Sequence, residues 1–145
     1  MARVRSFEDG NLNSTIRTSR LQNFSDIDLL FDKKPSGDIY KKTDAAAVKQ
    51  SVKNIISTNL LEKPFLSDYG ANITGMLFEL AQGGATFRIK EQIKNSLFKY
   101  EPRAEILDID CRPMEDENSL YVQVVFTVVS TREEVSVETT LSRLR

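Results

Sequence analysis

Residues 97–111 read LFKYEPRAEILDIDC, and the spacing of the apolar side chains changes within this stretch. Up to Tyr100 the apolar residues recur every three or four positions, which is typical of a helix that buries one face. After Pro102 they recur at every second position from Leu107 to Cys111, which is typical of a strand with one buried face. The sequence therefore predicts helices before this point and a β-sheet after it.

Three helices are predicted before Pro102. The first begins at Asp44, whose carboxylate can accept an N–H bond from the first helical turn. The second is short, with Asn72 as its cap and Gln82–Gly84 after it, and the third spans about Ala85–Tyr100. The predicted apolar stripes are Val48, Val52, Ile55 and Ile56, then Ile73, Met76, Leu77 and Leu80, then Ile89, Ile93, Leu97 and Tyr100.

Three strands are predicted after Pro102, with turns at residues 113–118 and 130–133. Their alternating residues are Leu107, Ile109 and Cys111, then Leu120, Val122, Val124, Phe126 and Val128, then Val135, Val137, Thr139 and Leu141. The second strand also carries apolar residues on its other face, so we expect it at the centre of the sheet. The last strand is polar on one face and is expected at an edge, where unpaired N–H and C=O groups are open to another chain.

The predicted fold class is therefore α+β, with three N-terminal helices followed by a three-stranded antiparallel β-meander, a short N-terminal strand and a flexible arm. Residues 1–22, in which Asn, Ser, Thr and Arg dominate, form the predicted polar arm. Residues 23–145 form the predicted single domain. We place the short strand within Phe24–Phe31, and a turn at Pro35–Asp38 follows it.

The segment 59–70 is predicted to be a loop, because it contains Pro64 and ends in Asp68-Tyr69-Gly70. Its apolar residues lead us to expect a loop that packs against the helices. They are Leu60, Leu61, Phe65, Leu66 and Tyr69.

Composition excludes several kinds of chemistry in this chain of 145 residues. It contains no histidine, so a Ser-His-Asp or Cys-His pair and an imidazole zinc site are excluded. Cys111 is the single cysteine, so there is no intrachain disulfide, and a buried free thiol is expected. The net charge of -1 gives no basic field that argues for nucleic acid. No secretory signal, membrane span, metal or cofactor is expected.

The tetrapeptide Tyr100-Glu101-Pro102-Arg103 lies where the third helix gives way to the first strand. Proline cannot continue the helical hydrogen-bond ladder and disfavours helical dihedrals in the residue before it. We therefore expect an extended segment in which Glu101 and Arg103 project together, outward from the domain. Without further information, a solvated ion pair worth about 0–1 kcal/mol at a helix stop explains these residues equally well.

Several short motifs, taken in order, resemble the gene-twenty-five-like baseplate wedge family of T-even-type phages. This family includes the baseplate subunit TssE of type VI secretion systems. The matching motifs are Phe24-Ser25-Asp26-Ile27-Asp28, Val52-Lys53-Asn54, Lys63-Pro64-Phe65, Asp68-Tyr69-Gly70, Met76-Leu77-Phe78-Glu79 and the Glu-Pro-Arg signature at Glu101–Arg103. The resemblance covers roughly residues 24–141.

The resemblance implies a structural protein of the virion tail baseplate, assembled in the host cytoplasm, that initiates the contractile sheath. It implies that Glu101, Pro102 and Arg103 dock on the wedge core proteins and that the β-meander exchanges strands with the tail sheath protein. The arm could contact the tail tube or neighbouring wedge subunits. Arg103 is the expected anchor, so Arg103→Ala should leave folding intact and weaken wedge assembly by about 2 kcal/mol or more.

Two other functions stay open at this point. Members of this family have been labelled acidic lysozymes, and a glycan hydrolase needs two carboxylates, one of them with a raised pKa. Asp68 and Glu79 are the candidates, although the chain has no tryptophan to form a sugar platform. The other alternative is a small binding module that adds a foreign strand to its sheet edge.

Overall fold

The structure is a computed structural model that describes residues 24–77, 84–114 and 119–142. The chain divides into two units, one ending at Asp44 and the other beginning at Ala45. The predicted arm, residues 1–22, lies outside the described residues, as do Phe78, Glu79 and Leu80.

The described part of the first unit is a small antiparallel hairpin. Strand β1 (Ser25–Ile27) pairs with β2 (Lys41–Thr43), and a turn at Gly37, with φ of 85°, reverses the chain between them as predicted. The predicted alternation from Phe24 to Phe31 is wrong beyond Ile27. The Phe31 N–H bonds to the Asp28 carbonyl at 3.1 Å in a turn that ends the strand.

The second unit contains the predicted helices. Helix α1 spans Asp44–Ser57, α2 spans Ile73–Met76 and α3 spans Ala85–Tyr100. The predicted stripes of α1 and α3 are buried as far as Leu97, and Tyr100 at the end of the α3 stripe is half-buried. The residues at most 1% exposed are Val48, Val52, Ile55, Ile56, Ile89, Ile93 and Leu97. The cap predicted at Asn72 is wrong, because this residue has φ of 51° and its side chain makes no cap hydrogen bond.

The three-stranded sheet follows α3 in the order β3 (Ala104–Met114), β4 (Ser119–Val128) and β5 (Glu134–Ser142). All neighbours are antiparallel, with Ile109 opposite Val124 and Val124 opposite Val137. The central position of β4 and the edge position of β5 are therefore confirmed. One face of β4 is fully buried, and its residues are Leu120, Val122, Val124, Phe126 and Val128.

A β-bulge interrupts the predicted alternation of β3. Ile106 pairs with Phe126 and Asp108 pairs with Val125, so Leu107 has no partner position on β4. Because of the extra residue, the alternation of side chains between the two faces of the sheet is out of step on the two sides of the bulge. Leu107 is 55% exposed, and its predicted place beside Ile109 on the buried face is wrong.

The loop between α1 and α2 is present as predicted, but its apolar residues are not packed down. Leu61 is 80% exposed and Phe65 is fully exposed, while Tyr69 alone among the five is half-buried. Only the end of the loop is fixed against a helix. Gly70 has φ of 108°, and a Cβ atom there would lie 2.3 Å from the Thr58 carbonyl oxygen.

Candidate functional site

The Glu-Pro-Arg signature forms a tight turn between α3 and β3. The Glu101 N–H closes the helix on the Leu97 carbonyl at 2.8 Å, and the Ala104 N–H then bonds to the Glu101 carbonyl at 3.1 Å. Proline favours the second position of such a turn, because its ring sets φ near the required value. The expectation of an extended segment is thus wrong, and the chain reverses within these four residues.

A further backbone bond fixes this turn to the sheet. The Val129 N–H, just after β4, donates to the Arg103 carbonyl at 2.9 Å. The turn is therefore held on both sides, by the last bond of α3 and by the end of β4.

The carboxylate of Glu101 points inward and pairs with Arg103. The Arg103 Nε lies 2.5 Å from Oε1 and Nη2 lies 2.7 Å from Oε2, which is the bidentate geometry that a guanidinium forms with a carboxylate. The Glu101 side chain is 1% exposed and that of Arg103 is 33% exposed. Both side chains do lie together, but the predicted outward projection of Glu101 is wrong.

The surroundings of Glu101 keep it ionised. Burial alone would raise the pKa of this carboxyl, but hydrogen bonds from Arg103 and from Ser51 of α1 outweigh burial and hold the pKa below its ordinary value. The pKa of Tyr69 is raised, mainly by burial and in addition by the negative charge of Glu101. Glu101 is thus a buried anion that orients Arg103, while Arg103 and Pro102 reach the surface.

An open apolar groove of about 500 Å³ lies beside this turn. Phe98 of α3 is 82% exposed and Val129 is 57% exposed, and both line the groove with Pro102. The remaining lining residues are Lys94, Asn95, Ala104, Glu105 and Ile106. Sequence reasoning did not select Phe98 or Val129. The usable signal was the position of Phe98 outside the apolar stripe of α3, because a large aromatic side chain there has no core to enter.

Of the two carboxylates proposed for glycan hydrolysis, Asp68 lies in the described part of the chain. Asp68 is exposed and forms an ion pair with Lys99, whose hydrogen bond lowers the pKa of Asp68. A general acid for a glycosidic bond needs a raised pKa instead. Glu79 lies outside the described residues.

The described residues also bear on three further possibilities, which are a metal site, a reactive thiol and a membrane-spanning helix. Among the residues that the structure describes, no group of three or more acidic or cysteine side chains is arranged to hold a metal ion. Cys111 is buried, and burial raises the pKa of its thiol to about 11, so little of it is thiolate at neutral pH. None of the described helices combines the length and apolarity that crossing a bilayer requires.

Comparison with known proteins assigns the chain to a family. Residues 42–133 match the family of baseplate wedge protein gp25, and the chain belongs to this family. The match includes the whole of α1, the turn at Pro102, strands β3 and β4, and the connection between β4 and β5. Baseplate wedge protein gp25 of Enterobacteria phage T4 is 25% identical over 112 residues, which cover 77% of this chain and 85% of the phage protein.

Solved structures agree with this fold. A chain of the anti-feeding prophage baseplate is 22% identical and has a TM-score of 0.65, covering 73% of this chain and 86% of its own length. A chain of the type VI secretion baseplate complex is 16% identical and has a TM-score of 0.57. The match covers 68% of this chain and 92% of the baseplate chain. A Geobacter sulfurreducens protein, provisionally named a tail lysozyme, is 23% identical and has a TM-score of 0.60. The match covers 68% of this chain and 89% of the Geobacter protein.

Proposed function

We propose that this chain is a structural subunit of a contractile-tail baseplate, which docks on the wedge core through the turn at Pro102 and starts the sheath through β5. Membership of the wedge-protein family supports the general assignment. The docking role of the turn and the exchange of strands with the sheath protein are the specific parts of the proposal.

The observation that carries the docking role is the exposed apolar groove beside the turn that contains Arg103. Phe98, Pro102 and Val129 offer apolar surface that no other part of the described chain covers, and Arg103 lies at the same turn. Interfaces commonly combine an aromatic or arginine anchor with a well-formed apolar depression. We therefore assign Pro102 and Arg103 to partner contact.

Glu101 has a different role in this proposal from the two residues that follow it. Because its carboxylate is 1% exposed and already accepts two bonds from Arg103, it is a positioning residue. It holds the guanidinium in one orientation, which reduces the side-chain entropy that is lost when the partner binds.

The edge of the meander supports the second part of the proposal. Within the described residues β5 pairs with β4 alone, so its outer backbone groups have no strand partner there. Its nine residues are long enough for a foreign strand to add. One face of β5 carries Ser136, Glu138 and Thr140. These polar residues limit nonspecific aggregation of the strand before the sheath protein binds.

The test is a binding titration of the purified chain with the purified wedge core proteins of the same particle. The informative variants are Phe98→Gln, which alters the groove, and the pair Glu101→Leu with Arg103→Met, which replaces both charges by apolar groups of similar size. Replacement of a whole buried pair in this way is often neutral for stability. We expect each variant to fold and to bind at least tenfold more weakly than the wild type.

Phe87→Gln is the matched control, since Phe87 is a 67% exposed aromatic residue of α3 that does not line the groove. It should bind like the wild type. Wild-type binding by both test variants would refute the docking role of the turn. Failure of the wild-type chain to bind any wedge core protein would refute the proposed function as a whole.

A further inference from the structure

The loop between α1 and α2 exposes a cluster of apolar side chains that the proposed function does not use. We refer to residues 59–69 as the apolar loop. Its exposed apolar residues are Leu60 at 36%, Leu61 at 80%, Phe65 at 105% and Leu66 at 43%. A monomeric protein seldom clusters such residues on its surface without a binding role.

The apolar loop is fixed by its own hydrogen bonds. The Glu62 carboxylate accepts bonds from both the backbone N–H and the side-chain amide of Asn59, each at 2.8 Å. The Leu61 N–H bonds to the Ser67 carbonyl at 2.9 Å and closes the tip of the loop. At its end, the Ser96 hydroxyl of α3 donates to the Gly70 carbonyl at 3.0 Å. The exposed side chains are therefore presented by an ordered backbone.

The two most exposed residues have backbone conformations that their side chains disfavour. Leu61 has φ of 68° and Phe65 has φ of 65°. Bulky residues seldom occupy this left-handed region, where glycine or asparagine fits at lower cost. Neither side chain gains burial in return. Strain of this kind that does not contribute to folding is typical of functional sites.

The charged side chains of the apolar loop already have contacts within the molecule. Glu62 is bound to Asn59, the Lys63 ammonium lies 4.0 Å from the centre of the Tyr69 ring, and Asp68 pairs with Lys99. The two most exposed side chains of the loop, Leu61 and Phe65, are themselves apolar. Its binding partner must offer apolar surface.

The shape and size of the cluster narrow the choice of partner. Phe65 is fully exposed, so it protrudes and needs a concave pocket. An exposed phenylalanine offers about 200 Å², and with the three leucines the apolar loop offers on the order of 450 Å². A stable interface needs about 800 Å² from each partner. The loop is therefore too small to hold two copies together and suits one contact within a larger assembly.

We propose that the apolar loop is a second docking surface, which inserts Leu61 and Phe65 into an apolar pocket on another protein of the baseplate. This inference rests on the proposed function. The loop would lock the subunit against a neighbour at a contact separate from the groove beside Pro102.

The test uses Phe65→Asn, because asparagine tolerates a positive φ and removes the ring. We expect its thermal unfolding midpoint to equal or exceed that of the wild type. We expect its affinity for the purified wedge core proteins to fall about 30-fold, the usual loss for an aromatic hot spot. Phe87→Gln, at an exposed aromatic residue outside both surfaces, should lose neither stability nor affinity.

A photoreactive benzophenone amino acid at position 65 then identifies what the loop contacts in the assembled complex. A cross-link to apolar residues of another baseplate protein supports the inference. A cross-link only to a second copy of this chain, or only to residues 1–23 of the same chain, overturns it. If Phe65→Asn binds normally while Phe98→Gln binds weakly, the inference fails and the proposed function stands. If the wild type does not bind at all, both fail.

Discussion

The Glu101 side chain was predicted to project outward from the domain, but it is buried, and this difference changes the expected role of the residue. A carboxylate with 1% exposure loses nearly all of its hydration, and the bonds from Arg103 and Ser51 compensate for that loss. A pair of this kind adds little net stability compared with apolar residues of the same size, but removal of one partner is costly. Within the signature, Glu101 is therefore a buried structural residue, whereas Pro102 and Arg103 reach the surface.

Arg103→Ala should destabilise the fold, contrary to the expectation from sequence. The change leaves the Glu101 carboxylate buried without its charged partner, and we expect the free energy of unfolding to fall by about 3 kcal/mol. Urea denaturation at pH 7 measures this value. The pair Glu101→Leu with Arg103→Met serves as the control and should stay within about 1 kcal/mol of the wild type. An Arg103→Ala protein as stable as the wild type would show that the pair is solvated in solution.

The pair also makes stability depend on pH in a defined direction. The pKa of Glu101 is lower in the folded protein than its ordinary value of 4.5, so the unfolded chain binds this proton more readily. The contribution is complete above about pH 4.5 and is lost as the pH falls through the folded pKa. Glu101→Gln lacks this titration, so the stability difference between wild type and variant should shrink from pH 6 to pH 3. A difference that stays constant in urea titrations over this range would contradict the account.

At the scale of elements, Gly70 fixes the end of the apolar loop to α1. The Ala71 N–H bonds to the carbonyls of Ile55 and Thr58, each at 3.1 Å, and no side chain fits between Gly70 and Thr58. Gly70→Ala adds a Cβ at 2.3 Å from a carbonyl oxygen and forces a positive φ on alanine. We expect a loss of about 2–4 kcal/mol in the free energy of unfolding, measured by urea denaturation. Gly37→Ala, at a glycine with open space around it, is the matched control and should cost about 1 kcal/mol.

Strand β5 should respond to the sheath protein in hydrogen–deuterium exchange. Among the described residues its outward amides have no strand partner, and a foreign strand would occupy them. We expect these amides to exchange at least tenfold more slowly after purified sheath protein is added, while those of β4 change little. Unchanged exchange along β5 in a complex that does form would place the sheath contact elsewhere.

The elements were predictable where one rule decided them. The stripes of α1 and α3 and the alternation of β4 follow from burial on one face, and the structure confirms them. The bulge at Leu107 was not predictable, since an inserted residue leaves no mark in an apolar run. The exposure of Phe65 was missed because an apolar side chain predicts burial unless it has a partner outside the chain.

At the scale of the candidate site, the sequence located the junction between α3 and β3 but predicted neither the tight turn there nor the inward direction of Glu101. The Glu-Pro-Arg motif directed attention to residues whose docking role stays a prediction. The direction of Glu101 depends on Ser51, which lies 50 positions earlier in the chain, and no local pattern reports that contact. The groove beside Pro102 likewise depends on Val129, which the sheet brings to the turn through its bond to Arg103.

At the scale of the whole molecule, the described residues contain three separate surfaces that we propose as contacts for other proteins. They are the groove beside Pro102, the apolar loop and the outer edge of β5. The proposed function, in which the subunit joins a wedge core to a sheath, requires more than one such surface. The two-unit division at Asp44 leaves all three within residues 45–145.

Electron cryomicroscopy of the native particle would decide whether the turn at Pro102 contacts a wedge core protein, because it locates this turn relative to its neighbours. We predict that the chain occupies the baseplate and that Phe98, Pro102 and Arg103 lie against a wedge core protein. A baseplate without this chain, or one in which the groove beside Pro102 faces solvent, would contradict the account.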